Sequence, residues 1–239
     1  MNYVVQNSPI NVQQGEKSEQ SGKNEFNYLK SLGLSNVSIQ KITSDLGNKS
    51  LDELSGLNGS VVRDYLIKQI KMVNFDNTNA VFLTGPSFSD LLQAIKAVAH
   101  YYGNVLHIKP TICALHLDTE HLLVLKSLAR RWQISIQYKL ADMDLLGQII
   151  IGDMSIKPSY AKLINVLPAI WQTQNLIKAQ QDFPEADLIL TQFDQVFSLG
   201  AVFDLLLQTR ANLLAITNPD LNLWNAEQLL SKAESLCYA

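Results

Sequence analysis

"LILTQFDQVFSLGAVFDLLL", residues 188–207, begins as a continuous apolar run, breaks on Thr191-Gln192-Phe193-Asp194, and turns apolar again with helical spacing after Ser198-Leu199-Gly200. A short apolar run, a polar break and an apolar helix form one strand-loop-helix step of an α/β protein, with the break at the carboxyl end of the strand. The same alternation extends on both sides. Upstream, strands are expected at "AVFLTG", "TICALHL", "ISIQYKL", "GQIIIG" and "LINVL", with amphipathic helices at "DLLQAIKAVAHYY", "TEHLLVLKSLARRW" and "IWQTQNLIKAQQ". Downstream come a strand "NLLAIT" and a last helix "NAEQLLSKAESL". Short apolar strands separated by helices imply right-handed crossovers and a mostly parallel sheet covered on both faces, with the ligand crevice at the strand carboxyl ends.

Composition bounds what such a fold can do. At 239 residues and 47% hydrophobic content the chain can fill one sizeable core, or one core and a small bundle. Charged residues make up 17% and the formal net charge is −3, so no field that would gather nucleic acid is expected. Cys113, in an apolar run, and Cys237, near the C-terminus, share no motif spacing and read as a core thiol and a tail thiol of a reducing cytoplasm. No basic start followed by an apolar stretch marks a signal peptide, and no apolar run approaches the ~20 residues of a membrane span. A soluble, cytoplasmic protein is expected.

Residues 1–24, rich in Gln, Ser, Asn and Gly, are expected to be a disordered tail. Residues 25–76 carry interrupted helical patterns, "EFNYLKSLGL", "NVSIQKITSDLG", "SLDELSGL" and "SVVRDYLIKQIKMV", and are expected to form a short helical bundle. Residues 77–239 then hold the sheet.

Thr191-Gln192-Phe193-Asp194 followed by Ser198-Leu199-Gly200 resembles the signal-recognition-particle (SIMIBI) class of GTPases, most of all its flagellar FlhF branch. There a strand ending Thr-Lys-Leu-Asp precedes a Ser-Leu-Gly-Ala helix start. "AVFLTGPSFSDLLQAIKAVA" is similar to that family's strand, phosphate loop and first helix, and "ICALHLDTEHLLVLKSLARRWQISI" to its strand ending in Asp-Thr with the elements that follow. "GQIIIGDMS" stands at the Asp-Thr-Ala-Gly strand, "LINVLPA" resembles the Val-Leu-Ser-Ala strand, and "LLAITNPDLN" lies where the family closes over guanine. The resemblance runs from about residue 25 to 230. It implies a three-layer P-loop NTPase architecture of the SRP-GTPase type, preceded by the short helical bundle. In the family the Asp aligned with Asp194 reads the guanine edge, and Gly200 lets the next helix approach.

The departures carry the functional expectation. A phosphate loop needs glycines that bring backbone N–H groups around the phosphates, a Lys, and a hydroxyl for Mg²⁺. Here Gly85, Pro86 and Ser87 persist, whereas Phe88, Asp90, Leu91, Leu92 and Gln93 stand for Gly, Gly, Lys, Thr and Thr. Asp90 is expected to repel a triphosphate, and its D-x-x-Q spacing to Gln93 predicts a capping box at the helix start. The family's Mg²⁺-facing Asp falls on Gly152, with Asp153 one place late, and its γ-phosphate-sensing Gly is Ser155. Gln192 replaces the Lys under the base, Pro219-Asp220 replaces the closing Gly-Gln, and His121 stands only loosely for an Arg after Asp118. Asp194 is expected to accept backbone hydrogen bonds that shape its turn.

Gly85, Ser87, Asp90, Leu91, Asp118, Asp153, Thr191, Asp194 and Gly200 therefore read as remnants of a nucleotide site, with no catalytic residue, cofactor or metal expected. No histidine pair has metal-ligand spacing, and there is no G-x-S-x-G or C-x-x-C motif. Lys126, Arg130 and Arg131 have helical spacing and read first as a solvated face, with anionic lipid as the alternative. The expectation is a pseudo-GTPase that docks protein partners of a bacterial membrane-associated assembly and is held at the inner membrane through them. The resemblance implies targets such as flagellar pole, secretion or translocation machinery. Loss of nucleotide argues against the family's nucleotide-dependent homodimer. The alternative is a protein that still binds a nucleoside or other small molecule without hydrolysis.

Overall fold

A computed structural model describes residues 27–47, 59–73, 75, 80–140, 146–218 and 220–237. The tail expected over 1–24, the helical stretch expected over 50–57 and Pro219 lie outside the described residues.

Eight strands form one sheet in the order β3-β2-β4-β1-β5-β6-β7-β8. They are β1 (Ala80–Thr84), β2 (Thr111–Leu115), β3 (Ser135–Gln137), β4 (Gln148–Gly152), β5 (Lys162–Pro168), β6 (Asp187–Thr191), β7 (Leu213–Asn218) and β8 (Asp220–Asn222). Seven run parallel; β8 alone turns back antiparallel on β7. This last strand is an addition to the expected pattern. It has three residues and follows a proline, and both features hide a strand in sequence.

Helices α1 (Asn36–Gly47) and α2 (Gly59–Gln69) precede the sheet, and 27–31 is also helical. α3 (Phe88–Asn104), α4 (Thr119–Trp132), α5 (Thr173–Gln181), α6 (Gly200–Thr209) and α7 (Ala226–Cys237) follow strands. The three-layer architecture expected from the alternation is what the chain adopts.

The period of two within each strand assigns side chains to opposite faces. Val81 and Leu83 join Ile112, Ile149 and Ile151 under α3 and α4. On the other side Leu167, Leu188, Leu190 and Ile216 pack with α6 and α7. The N-terminal helices belong to that second core: Ile39, Ile42 and Leu46, three and four apart on α1, are buried with Phe203 and Leu206. Each such side chain, fully buried, contributes about 1.5–3 kcal/mol. Cys113 is buried and Cys237 exposed, and both are free thiols.

Polar contacts fasten the N-terminal segment to α6. Asp204, 1% exposed, accepts from the Ser35 backbone N–H at 3.1 Å and from the Ser35 hydroxyl at 3.0 Å, just before α1. Gly33 and Gly200 touch backbone to backbone, so that a Cβ on Gly200 would lie 1.9 Å from the Gly33 carbonyl oxygen.

Candidate functional site

β1 lies between β4 and β5, where the strand order reverses, and the loops leaving these strands and β6 define the crevice. The loop after β1 starts at Gly85, whose missing side chain is required: a Cβ there would sit 2.5 Å from the Val166 carbonyl oxygen of β5. α3 begins at Phe88 with Ser87 as its extended N-cap, and the Ser87 and Ser89 hydroxyls share a hydrogen bond of 2.8 Å.

Asp90 is thus not the cap of the helix, and the expected capping box does not form. It lies inside the first turn, 2% exposed, with Oδ1 accepting from the Thr191 hydroxyl at 2.6 Å and from Gln192 Nε2 at 2.8 Å. A buried carboxylate requires donors, and the end of β6 supplies two of them, while Gln93 stays on the surface. Around Asp90 the first turn is apolar. Leu91 and Leu92 are half-buried against the core under α3, and the Phe88 ring packs on His121 of α4 with centroids 4.1 Å apart.

The β6 end answers to this arrangement. Gln192 adopts a left-handed conformation, φ 55°, ψ 30°, which ends the strand and points the chain into a short turn over Phe193–Gln195 closed by Gln195 N–H to Gln192 C=O at 3.1 Å. Phe193 is buried edge-on against Trp224, with centroids 5.2 Å apart. Asp194 is exposed, and among the described residues no hydrogen bond reaches its carboxylate, so the turn-shaping role expected of it is corrected. Gln192 shapes the turn instead. Ser198 Oγ accepts from the Gly200 N–H at 3.3 Å, at the start of α6.

The other predicted positions lie on separate loops. Asp118 caps α4, accepting from the His121 backbone N–H at 2.8 Å and meeting His121 Nδ1 at 2.6 Å. The backbone N–H of His121, foremost, holds its carboxyl below the usual range. Asp153 caps a short turn over Met154–Ile156, and the Ser155 N–H at 2.8 Å depresses its carboxyl similarly. At Gly152 a side chain is excluded by packing, since a Cβ would fall 2.2 Å from the Leu115 carbonyl oxygen. Among the described residues no group of three or more His, Cys, Asp or Glu gathers to hold a metal. Of the sequence-derived set, Asp90 and Thr191 are brought into direct contact, and Gln192, which the sequence marks only as standing for a lysine, is the second donor to Asp90. The Phe88-His121 stack and Asp204 carried no sequence signal, because each depends on a partner far along the chain.

No family model matches the chain, and no curated protein matches it in sequence. Solved structures match in shape. FlhF complexed with GTP and Mg²⁺ superposes with a TM-score of 0.72 at 16% identity, over 91% of this chain and 99% of that one. Chloroplast FtsY from Physcomitrella patens does so with a TM-score of 0.70 at 13% identity, over 95% and 90%. FtsY from Mycoplasma mycoides gives 0.64 at 12%, over 92% and 94%. The chain has the FlhF and FtsY fold.

On this FlhF-like fold a groove of about 840 Å³ opens between the loop after β5 and the loop after β6. Ala169, Trp171, Thr173, Val196, Phe197 and Ser198 line it, and Gly33 reaches it from the N-terminal segment. Phe197 is 94% exposed and Ile170 47% exposed at its rim. No helix of the described residues is long and apolar enough to cross a membrane.

Proposed function

We propose that this chain is a catalytically inactive FlhF/SRP-like pseudo-GTPase that acts as a scaffold or adaptor, docking protein partners at a bacterial membrane-associated assembly such as a flagellar pole, secretion or translocation machinery. The observation that carries this reading is the tie between Asp90 and the β6 end. The carboxylate occupies the first turn of α3, bonded to Thr191 and Gln192. A helix start that already holds an internal anion is a poor receptor for phosphate.

GTP with Mg²⁺ does not fit the residues present. Leu91, in the place of the phosphate-loop Lys, packs into an apolar cluster; Phe88 is held on His121; and Gly152 has no room for a carboxylate. Nothing in the loop supplies positive charge. The division into a tail over 1–24, a helical unit over 25–76 and a G-type unit over 77–239 belongs to the same proposal, as do a cytoplasmic location, attachment to the inner membrane through partners, and the absence of a nucleotide-dependent homodimer. Phe197 and Ile170, exposed at the rim of the groove after β5 and β6, offer the apolar anchors that protein docking uses.

A second reading is favoured by one observation: the Asp194 carboxylate stands exposed and uncommitted at the place of the family's guanine-reading residue. The chain would then retain a nucleoside or other small molecule without hydrolysing it. Calorimetric titration with GTP, GDP and guanosine, with and without Mg²⁺, separates the two. Silence throughout is expected; micromolar binding would replace the first reading by the second. Leu91→Lys alone should stay silent too, and tight GTP binding by that variant would overturn the blockage assigned to Phe88 and Asp90.

A further inference from the structure

One end of the molecule carries a charge pattern unlike the rest. There is no Asp or Glu between residues 91 and 117 or between 121 and 140, in a chain whose net charge is −3. Those stretches contain Lys96, Lys109, Lys126, Arg130, Arg131 and Lys139, together with all four histidines of the chain. The fold gathers several of these cations. The second half of α3 and the end of α4 flank a hollow of about 350 Å³ lined by Lys96, His100, Asn104, Pro110, Trp132 and Gln133. Arg130 and Arg131 immediately precede Trp132, and Lys109 precedes Pro110, which lines the hollow together with Gly103.

Among the described residues none of Lys96, Lys109, Arg130 and Arg131 makes an ion pair or a side-chain hydrogen bond. The turn that ends α3 adds two large apolar side chains to the same region, Val105 at 57% exposure and Leu106 at 38%. Trp132 is half-buried at the hollow, with an apolar body and a polar edge.

We propose that this end of the molecule, the α3 terminus with Val105 and Leu106 and the cations Lys96, Lys109, Arg130 and Arg131, is a contact surface for an anionic bilayer. Unpaired cations on the middle of α3, in the loop after it and at the end of α4 match a field of mobile anionic headgroups, each contributing roughly fivefold to the partition. Exposed aliphatic side chains beside them, and a half-buried Trp, suit the boundary between headgroup and acyl chain. A polynucleotide would use the charge but has no place for Val105 and Leu106. This contact would be direct and does not depend on the nucleotide reading.

Cosedimentation of the full chain with phosphatidylcholine vesicles and with mixed phosphatidylcholine/phosphatidylglycerol vesicles tests it. Binding is expected on the mixed vesicles and not on phosphatidylcholine. Arg130→Glu with Arg131→Glu should reduce it by about tenfold or more, whereas Lys178→Glu with Lys232→Glu, an equal charge change at exposed sites on α5 and α7, should leave it within twofold to roughly fivefold of the parent, as unspecific charge alone allows. Val105→Ser with Leu106→Ser should weaken binding most at raised salt, where the coulombic part is screened. All positions are on the surface, and circular dichroism melting checks that each variant folds. Equal binding to both vesicle types, no binding to either, or indifference to the Arg130/Arg131 change overturns the proposal. So does retention on duplex DNA without vesicle binding, which would assign the face to nucleic acid.

Discussion

Asp90 shows how one residue at a helix start acquires a second meaning in three dimensions. In sequence it is a negative charge between a strand and the helix that follows it; in space it is the acceptor for two donors at the end of a strand about a hundred residues later. Asp90→Ala leaves the Thr191 hydroxyl with only a long contact to the Leu167 carbonyl, at 3.5 Å, and should lower stability by about 1–3 kcal/mol in urea unfolding. Asp90→Asn retains an acceptor oxygen and should cost less than the alanine change. If the two variants unfold alike, the carboxamide oxygen is not serving as the acceptor.

Asp118 belongs to the same scale. Its carboxyl is held down by the His121 backbone N–H, so the cap it makes is fully present above the ordinary Asp pKa and is lost as pH falls through the lower folded value. The carbon-detected NMR titration of Asp118 should therefore have its midpoint below the ordinary Asp value of about 3.9. In Asp118→Ala the acid-side loss of α4 helicity belonging to this group should disappear.

At the level of elements, α6 is the part on which most else depends. Its N-terminus is pressed against Gly33, and its buried Asp204 holds the residue before α1. Gly200→Ala would drive a methyl into a backbone carbonyl, which cannot rotate away as a side chain can, and should destabilise by about 2–4 kcal/mol. Because the clash lies between α6 and the N-terminal segment, limited proteolysis of that variant should cut within 27–70 before it cuts the sheet. Uniform loss of all fragments together would mean that the N-terminal helices and the sheet form one cooperative unit. Both halves of the contact are constrained, since Gly33 itself has φ 82°.

For the whole molecule the relevant test is linkage. A ligand that binds only the folded state at a hundred times its Kd stabilises by about 2.7 kcal/mol. An intact nucleotide site of micromolar affinity would thus raise the melting temperature by several degrees at sub-millimolar GTP with Mg²⁺. On the proposed reading no shift is expected, because Phe88, Asp90 and Leu91 would take the space and charge that a triphosphate needs. A shift of that size would return the chain to the nucleotide-binding proteins whose fold it shares.

The sheet, its helices and the crevice at the strand carboxyl ends were legible from residues alone, because buried parallel strands need continuous apolar runs and their covering helices need period-3.6 stripes, as at 80–102 and 188–209. Both are local patterns. That residues 85–93 hold no lysine, and no glycine after Gly85, was equally visible. What tertiary structure decided were the partners: that Asp90 bonds Thr191 and Gln192 rather than its own helix end, that Phe88 lies on His121, that Asp194 is left free, and that β8 folds back beyond Pro219. A side chain that can satisfy itself locally or across the fold takes whichever donors burial brings nearest, and burial is a property of the assembled sheet, absent from any short window of sequence.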